Sequence, residues 1–255
     1  MRKVHFQFRL RPGENLQQRI VVLRPDLSVS DLTFEKNFFC ASSKARCHFG
    51  INPMFCDNGL EGQQASPLYF PAEKFQADKM MEKIFWDPGL RFIFSLRSPV
   101  PQLLDEAGKP YYTDSYEFVT GKDDVLLEGK DGYIIAFGDA LYRANDAAQR
   151  LRAEGIDVGL INKPTLNICD EETTKKVGST GFALVVEPLS SKTGVGAKYG
   201  YWLAKLGLPK MPLFDNIGIN KGGKGGLWEH AYEQGYDSAS IQAAVKKLND
   251  GAKSR

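Results

Sequence analysis

The sequence has few cysteines and no long apolar run, and its first residues do not predict a secretory signal peptide. Four cysteines in 255 residues do not form a disulfide framework, so a reducing, cytoplasmic compartment is expected. The longest apolar runs, 133–137 and 182–186, are much shorter than the roughly 18 residues that a membrane-spanning helix requires. Residues 1–10 alternate charged and apolar side chains instead of forming the apolar segment of a signal peptide. These absences predict a protein without a membrane anchor.

The sequence also lacks an excess of charge of either sign. Lys and Arg total 33 against 31 Asp and Glu, which gives a formal net charge of +2. Binding to nucleic acid or to an anionic membrane usually depends on a strong positive field, so neither partner is expected. With 42% hydrophobic and 25% charged residues, the composition is that of a globular protein. A small molecule or another protein is the expected partner.

Two common kinds of site are missing. Cys40, Cys47, His48 and Cys56 are potential soft ligands, but none of the cysteines forms the closely spaced pair that organises a tetrahedral zinc site. The three histidines are not accompanied by a Gly-x-Ser-x-Gly sequence, which excludes the usual serine hydrolase pattern. The residues therefore predict no metal site and no catalytic residue.

The chain divides into three zones. Residues 1–66 consist of short runs interrupted by Pro and Gly and form a poorly specified amino-terminal segment, with a short strand at Val21–Leu23 and a short helix at Asp31–Phe39. Residues 67–120 predict a strand–helix–strand unit, which requires a parallel sheet, followed by a polar loop. The predicted elements of this zone are Leu68–Phe70, Lys74–Phe85 and Arg91–Leu96.

The third zone, residues 121–250, alternates short apolar runs with amphipathic segments. Such alternation is typical of an α/β fold, an open and mainly parallel sheet with helices on both faces. The runs at 133–137 and 182–186 are apolar throughout, as expected of strands that are buried on both faces. The predicted strands are Tyr133–Phe137, Ile156–Ile161, Phe182–Val186 and Pro212–Ile217. The predicted helices are Asp139–Ala153, one capped by Asp170, Gly196–Leu206, Gly226–Glu233 and a last helix that is capped by Ser238 and extends through Leu248.

Three places could bind a ligand at the carboxyl ends of strands, where open parallel sheets gather their functional groups. Arg97 follows a predicted strand, and its guanidinium could hold a phosphate through two parallel hydrogen bonds or form a surface ion pair. Glu187 ends another strand as either a paired structural group or a site residue. Gly194 and Gly196 precede a helix, where they allow either close backbone packing or anion capture by the helix amino terminus.

A second glycine-rich stretch, Lys221–Gly226, contains two lysines and could wrap an anion. It lacks the Lys-Ser or Lys-Thr that closes a P-loop. A surface loop is the simpler interpretation.

Several segments resemble transketolases. Five segments resemble the transketolase carboxyl-terminal domain and follow one another in the family's order. They are 128–138, 154–158, 161–166, 184–187 and 194–196. Upstream, 70–73 and 96–103 resemble the end of the family's pyrimidine-binding domain. The resemblance implies a partial pyrimidine-binding domain with its linker over 67–120 and a transketolase carboxyl-terminal domain over 121–250.

The resemblance also implies chemistry. Transketolases transfer ketol groups between sugar phosphates with thiamine diphosphate and Mg²⁺, and the family arginine that matches Arg97 contacts the substrate phosphate. Glu187, Gly194 and Gly196 are candidate residues of a site or an interface. The cofactor-binding residues are not identified.

Much of the family pattern is absent. The activating glutamate and the histidine loop have no counterpart, and Gly138-Asp139-Ala140 with Asn167 is only a partial match to the metal-binding motif. The chain alone is therefore expected neither to bind the cofactor nor to catalyse transfer, although the resemblance implies a transferase. We expect either a homodimer or a partner chain with the thiamine-diphosphate-binding domains. The alternatives are a non-catalytic assembly subunit and a truncated gene product.

Overall fold

The structure is a computed structural model that describes residues 21–22, 53–95, 100–221 and 227–255. Several sequence predictions concern residues outside these ranges. They are the Asp31–Phe39 helix, the candidate soft ligands Cys40, Cys47 and His48, the candidate phosphate ligand Arg97 and all but the first residue of the glycine-rich stretch Lys221–Gly226. Among the helices that the structure describes, none has the length and the hydropathy of a membrane span.

The smaller of two sheets contains the predicted strand–helix–strand unit. The elements are β1 (Val21–Val22), β2 (Leu68–Tyr69), α1 (Lys74–Ile84) and β3 (Phe92–Ile93). The strand order is β1-β3-β2, with β2 and β3 parallel and β1 antiparallel to β3. Glu73 caps α1 by accepting hydrogen bonds from the N–H groups of Phe75 and Gln76.

The larger sheet has five strands. They are β4 (Asp124–Leu127), β5 (Gly132–Ala136), β6 (Val158–Asn162), β7 (Phe182–Ser190) and β8 (Leu213–Ile219). Their order is β4-β6-β5-β7-β8, in which β5 to β8 run parallel and β4 is antiparallel to β6. The predicted mainly parallel α/β sheet is confirmed.

Helices cover both faces of the larger sheet. They are α2 (Ala140–Ala153), α3 (Glu171–Gly178), α4 (Val195–Lys205), α5 (Leu227–Gln234) and α6 (Ser238–Lys253). Successive residues of β5 point to opposite faces, so Ile134 packs in the core beneath α2 and α6, whereas Ile135 packs beneath α3 and α4. All residues of β5 and all but the last of β7 are buried, as predicted for interior strands.

The strand–helix–strand unit is joined to the carboxyl edge of the larger sheet. The N–H of Phe70 donates to the carbonyl oxygen of Pro164 at 2.9 Å, and the N–H of Leu166 donates to that of Leu68 at 2.8 Å. The ring of Phe70 packs against Phe137, which follows β5. Apolar side chains from the unit therefore cover the carboxyl ends of the central strands.

Two local predictions are corrected. The antiparallel edge strand β4 is not among the predicted strands, because it begins with an aspartate and its apolar run is only three residues long. Helix α6 is capped by Asp237 and not by Ser238, since the Asp237 carboxylate accepts hydrogen bonds from the N–H groups of Ala239 and Ser240. The domain boundaries at 66, 120 and 250 stay predictions.

Candidate functional site

Three of the predicted site residues meet where β7 leads into α4. Glu187 is fully buried, and its carboxylate accepts hydrogen bonds from the N–H of Val195 at 2.7 Å and from that of Gly196 at 2.9 Å. A carboxylate at this position satisfies two of the N–H groups that have no partner inside the helix. The positive end of α4, which could have bound an external anion, is therefore occupied by a side chain of the protein itself.

The two glycines make this contact possible. A Cβ atom at Gly194 would lie 2.1 Å from Oε2 of Glu187, and one at Gly196 would lie 2.6 Å from the side chain of Asn216. Of the two interpretations of the glycine motif, the geometry supports close backbone packing. Any direct role of Glu187, Gly194 or Gly196 at a substrate site or interface stays a prediction.

Burial has a marked effect on this carboxyl group. It raises the pKa of Glu187 to about 7, and the two helix N–H groups and Asn216 only partly oppose the shift. Glu187 can therefore change its protonation state near neutral pH, although the group has no contact with solvent.

Arg97, the predicted phosphate ligand, lies outside the described residues. The nearby Arg91 is described and has a structural role. Its guanidinium is buried and donates to the carbonyl oxygens of Ile84, Asp87 and Pro88, which end α1 and begin the turn after it. Arg91 is thus not available to bind a phosphate.

The structure also contains a buried ion pair that the sequence does not predict. The ammonium group of Lys163, which follows β6, donates to Oδ1 of Asp123 at 2.9 Å and to the carbonyl oxygen of Ile168 at 2.9 Å. The side chains of Lys163 and Asp123 are both fully buried. The ammonium also lies 4.9 Å from the ring centroid of Trp202. Burial raises the pKa of Asp123 to about 6, against the effect of Lys163.

A second carboxyl, that of the half-buried Asp124, faces a different set of groups. The hydroxyls of Tyr112 and Tyr116 donate to it, as does the side-chain amide of Gln76. Asp123 lies immediately before β4 and Asp124 is its first residue, and the two side chains enter separate clusters. Two adjacent acidic residues before an apolar run are the one available sequence signal, but their partners lie too far along the chain to be inferred.

The described residues do not fit a magnesium-bound diphosphate. No group of three or more His, Cys, Asp or Glu side chains among them is arranged to hold a metal ion. The two residues of the partial metal motif have other partners. Asp139 forms an ion pair with Arg143 at 2.8 Å. The side-chain amide of Asn167 donates to Asp57 and to the carbonyl oxygen of Ser66.

One open depression of about 570 Å³ lies beside the start of β4 and the start of α3. Its charged lining residues comprise three carboxylates and two lysines, which is a poor environment for a diphosphate. The depression is lined by 119–122, 168–172 and Lys175.

Comparisons with known proteins agree on the carboxyl-terminal part. Residues 121–210 match the family described as "Transketolase, C-terminal domain". The chain is 30% identical over 131 residues, 51% of this chain and 40% of the relative, to a subunit of the apulose-4-phosphate transketolase of Phocaeicola vulgatus. It is 35% identical over 130 residues, 50% of this chain and 40% of the relative, to "Putative transketolase C-terminal section" of Methanocaldococcus jannaschii.

A solved structure extends the similarity to the fold. "Split gene transketolase, inactive beta4 tetramer" superimposes with a TM-score of 0.63 at 25% identity, covering 72% of this chain and 57% of that chain. The chain spans 40% of the length of each of the two curated relatives above, so their complete activities belong to longer proteins. Sequence, fold and order of motifs together identify residues 121–210 as a transketolase C-terminal domain.

Proposed function

We propose that this chain is the carboxyl-terminal portion of a thiamine-diphosphate-dependent ketol transferase that acts on sugar phosphates, and that it is not catalytic alone. The observation that carries the proposal is the match of residues 121–210 to the transketolase C-terminal domain in a chain whose described residues do not fit the cofactor. Thiamine diphosphate would supply the carbanion chemistry, and other domains would hold it. Arg97 would bind the phosphate of the sugar.

The domains that hold the cofactor would come from a partner chain. One relative is a subunit of its transketolase, another is named as a transketolase C-terminal section, and the structural neighbour is a split-gene transketolase. Those names describe the relatives, and they favour a divided enzyme here. A homodimer of the present chain is the other assembly that we consider. A cytoplasmic location is part of the proposal and rests on the cysteine content, with free thiols at Cys56 and Cys169.

A titration tests the proposal directly. The purified chain is titrated calorimetrically with thiamine diphosphate and Mg²⁺, alone and then mixed with a candidate partner that contains the pyrophosphate-binding domain. We expect no saturable binding by the chain alone, and we expect binding together with ketol transfer in the mixture. Micromolar cofactor binding by the chain alone contradicts the proposal.

The alternatives give different results in the same experiment. A non-catalytic assembly subunit forms a stable complex with the partner, but it changes neither cofactor affinity nor turnover. A truncated gene product forms no complex. Size-exclusion chromatography of the mixture separates these two outcomes, and the same columns report whether the chain alone is a dimer.

A further inference from the structure

The sequence contains a single Asn-Gly pair, Asn58-Gly59, which lies in the loop at residues 57–66, the Asn58 loop. Both residues of the pair are exposed. The side-chain amide of Asn58 closes the loop by donating to the carbonyl oxygen of Gln64 at 2.7 Å, and its backbone N–H donates to the hydroxyl oxygen of Ser66 at 3.1 Å. An Asn-Gly pair is prone to deamidation, because glycine has no Cβ atom to hinder attack of its nitrogen on the asparagine side chain.

The Asn58 loop is anchored to the rest of the protein near both of its ends. The carboxylate of Asp57 accepts a hydrogen bond from the side-chain amide of Asn167 at 3.0 Å, and it forms an ion pair with Lys198 of α4 at 2.5 Å. At the other end, the hydroxyl of Ser66 donates to the carbonyl oxygen of Cys56 at 2.7 Å. The loop therefore has a defined conformation, in which its reactive groups keep fixed positions.

The backbone places a nucleophile beside the atom that it would attack. The N–H of Leu60 donates to Oδ1 of Asn58 at 3.1 Å, and this hydrogen bond closes a turn from the side chain to the backbone. Such a turn folds Cγ of Asn58 back toward the backbone nitrogen of Gly59, which lies between the two bonded groups along the chain. The N–H of Gly59 in turn donates to Oδ1 of Asp57 at 3.0 Å. Asp57 is therefore in position to take the proton from the nucleophile.

The oxygen on which negative charge would develop has two donors. When a nucleophile adds to the side-chain carbonyl of Asn58, Oδ1 becomes an oxyanion. This oxygen accepts hydrogen bonds from the N–H groups of Leu60 at 3.1 Å and of Ser66 at 3.2 Å. Two backbone N–H groups that converge on a carbonyl oxygen stabilise such an oxyanion. The loop thus combines a nucleophile, a proton acceptor and an oxyanion site around one side chain.

We propose that Asn58 is a site of self-catalysed deamidation. The carboxylate of Asp57 takes the proton from the nitrogen of Gly59, and this nitrogen forms a bond to Cγ of Asn58. The bond between Cγ and Nδ2 then breaks, and the proton passes through water to Nδ2, which leaves as ammonia. Water opens the resulting cyclic imide at either of its two carbonyl carbons, which leaves aspartate or isoaspartate at position 58.

The reaction changes the Asn58 loop permanently. Both products lack the side-chain amide that donates to Gln64, so the loop loses the hydrogen bond that closes it. Water is the only other reactant, and each chain undergoes the reaction once. The extent of modification therefore records the age of the folded chain.

Peptide mass spectrometry of the full chain tests the proposal. The wild type is incubated at neutral pH, either folded or unfolded in guanidinium chloride, and the fraction converted at Asn58 is followed with time. We expect conversion to be about tenfold faster or more in the folded chain, because only the folded loop holds the reacting groups together. Asn167, which is followed by isoleucine, is the internal control and is expected to stay unmodified over the same time. A folded chain that converts no faster than the unfolded chain overturns the proposal.

Two variants separate proton transfer from anchoring of the loop. Asp57→Asn keeps an acceptor for the Gly59 N–H but cannot take up its proton, so conversion of the folded chain should fall about tenfold or more. Lys198→Met is the matched control, because it removes the ion pair but keeps the carboxylate, and it is expected to retain most of the wild-type rate. A wild-type rate in folded Asp57→Asn overturns the proposal, and the comparison of folded with unfolded wild type provides the test if that variant does not fold. Neither cofactor nor partner is needed, so this result is independent of the proposed function.

Discussion

A Cβ atom at Gly194 would lie 2.1 Å from Oε2 of Glu187. The carboxylate cannot easily move away, because the N–H of Val195 holds the same oxygen at 2.7 Å. The added atom would also lie 2.5 Å from the backbone oxygen of Ser190. We therefore expect Gly194→Ala to lower the free energy of unfolding by about 1–3 kcal/mol, measured by urea denaturation.

The matched control for this substitution is Gly200→Ala in the helix that Gly194 precedes. A Cβ atom at Gly200 would lie 3.0 Å from the side chain of Phe214, which can shift. Alanine is also favoured over glycine inside a helix by about 1 kcal/mol, so we expect a much smaller net effect. Equal effects of the two substitutions would show that the contact between Gly194 and Glu187 is not rigid.

The stability of the protein should depend on Glu187 near neutral pH. Burial raises the pKa of this carboxyl to about 7, so the folded state binds its proton more tightly than the unfolded state does. The resulting stabilisation is fully present below the ordinary glutamate pKa and is lost as the pH rises through about 7. Between pH 5 and pH 8, this group should lower the free energy of unfolding of the wild type by about 2 kcal/mol. The Glu187→Gln variant should lack this part of the pH dependence.

Urea titrations of both proteins at the two pH values measure that difference. In Glu187→Gln, the amide nitrogen faces one of the two helix N–H donors. At a pH where the wild-type carboxyl is ionised, we therefore expect the variant to have a free energy of unfolding about 1–3 kcal/mol lower than that of the wild type. An unchanged pH dependence in the variant contradicts the assignment, whatever its absolute stability.

The buried ion pair gives a third prediction. Lys163→Met leaves the carboxylate of Asp123 buried without its cation, which is expected to cost about 3–5 kcal/mol. The double variant Lys163→Met, Asp123→Asn removes both charges and should recover most of that loss. A double-mutant cycle from urea denaturation measures the coupling, and purely additive effects would show that the pair does not act as a unit.

Most of the larger sheet could be predicted from sequence because its strands are buried on both faces. Ile134 and Ile135 both need apolar surroundings, although they enter opposite cores, and this requirement produces a continuous apolar run. Strand β4 could not be predicted in the same way. Its first residue, Asp124, is a half-buried aspartate that accepts hydrogen bonds from Tyr112 and from Gln76, which is far away in sequence.

The candidate site was predictable only as separate residues. In the sequence, Glu187 is conspicuous as an acidic residue at the end of an apolar run, although β7 continues beyond it to Ser190. Gly194 and Gly196 are conspicuous as a loop motif. That they meet depends on how the chain turns between β7 and α4, which no local pattern encodes. The pair of Asp123 and Lys163 depends in the same way on the antiparallel pairing of β4 with β6.

The last prediction concerns Arg97 and substrate phosphate. If its guanidinium holds the phosphate through two hydrogen bonds, Arg97→Lys keeps the charge but loses the planar geometry, and affinity should fall about tenfold or more. Calorimetric titration with inorganic phosphate and with a sugar phosphate measures the effect in the wild type, Arg97→Lys and Arg97→Ala. The titrations are performed on the chain alone and on the complex with its partner.

Arg91→Lys provides the control, because Arg91 is close to Arg97 in sequence and has a structural role. Its guanidinium donates to Pro88 at 2.8 Å and to Gly89 at 3.2 Å, both through carbonyl oxygens, and an ammonium cannot reproduce the planar arrangement of donors. We expect this variant to lose about 1–3 kcal/mol of stability, with its phosphate affinity unchanged. If all four proteins bind phosphate equally, Arg97 is a surface residue, and the substrate phosphate must be held by other groups.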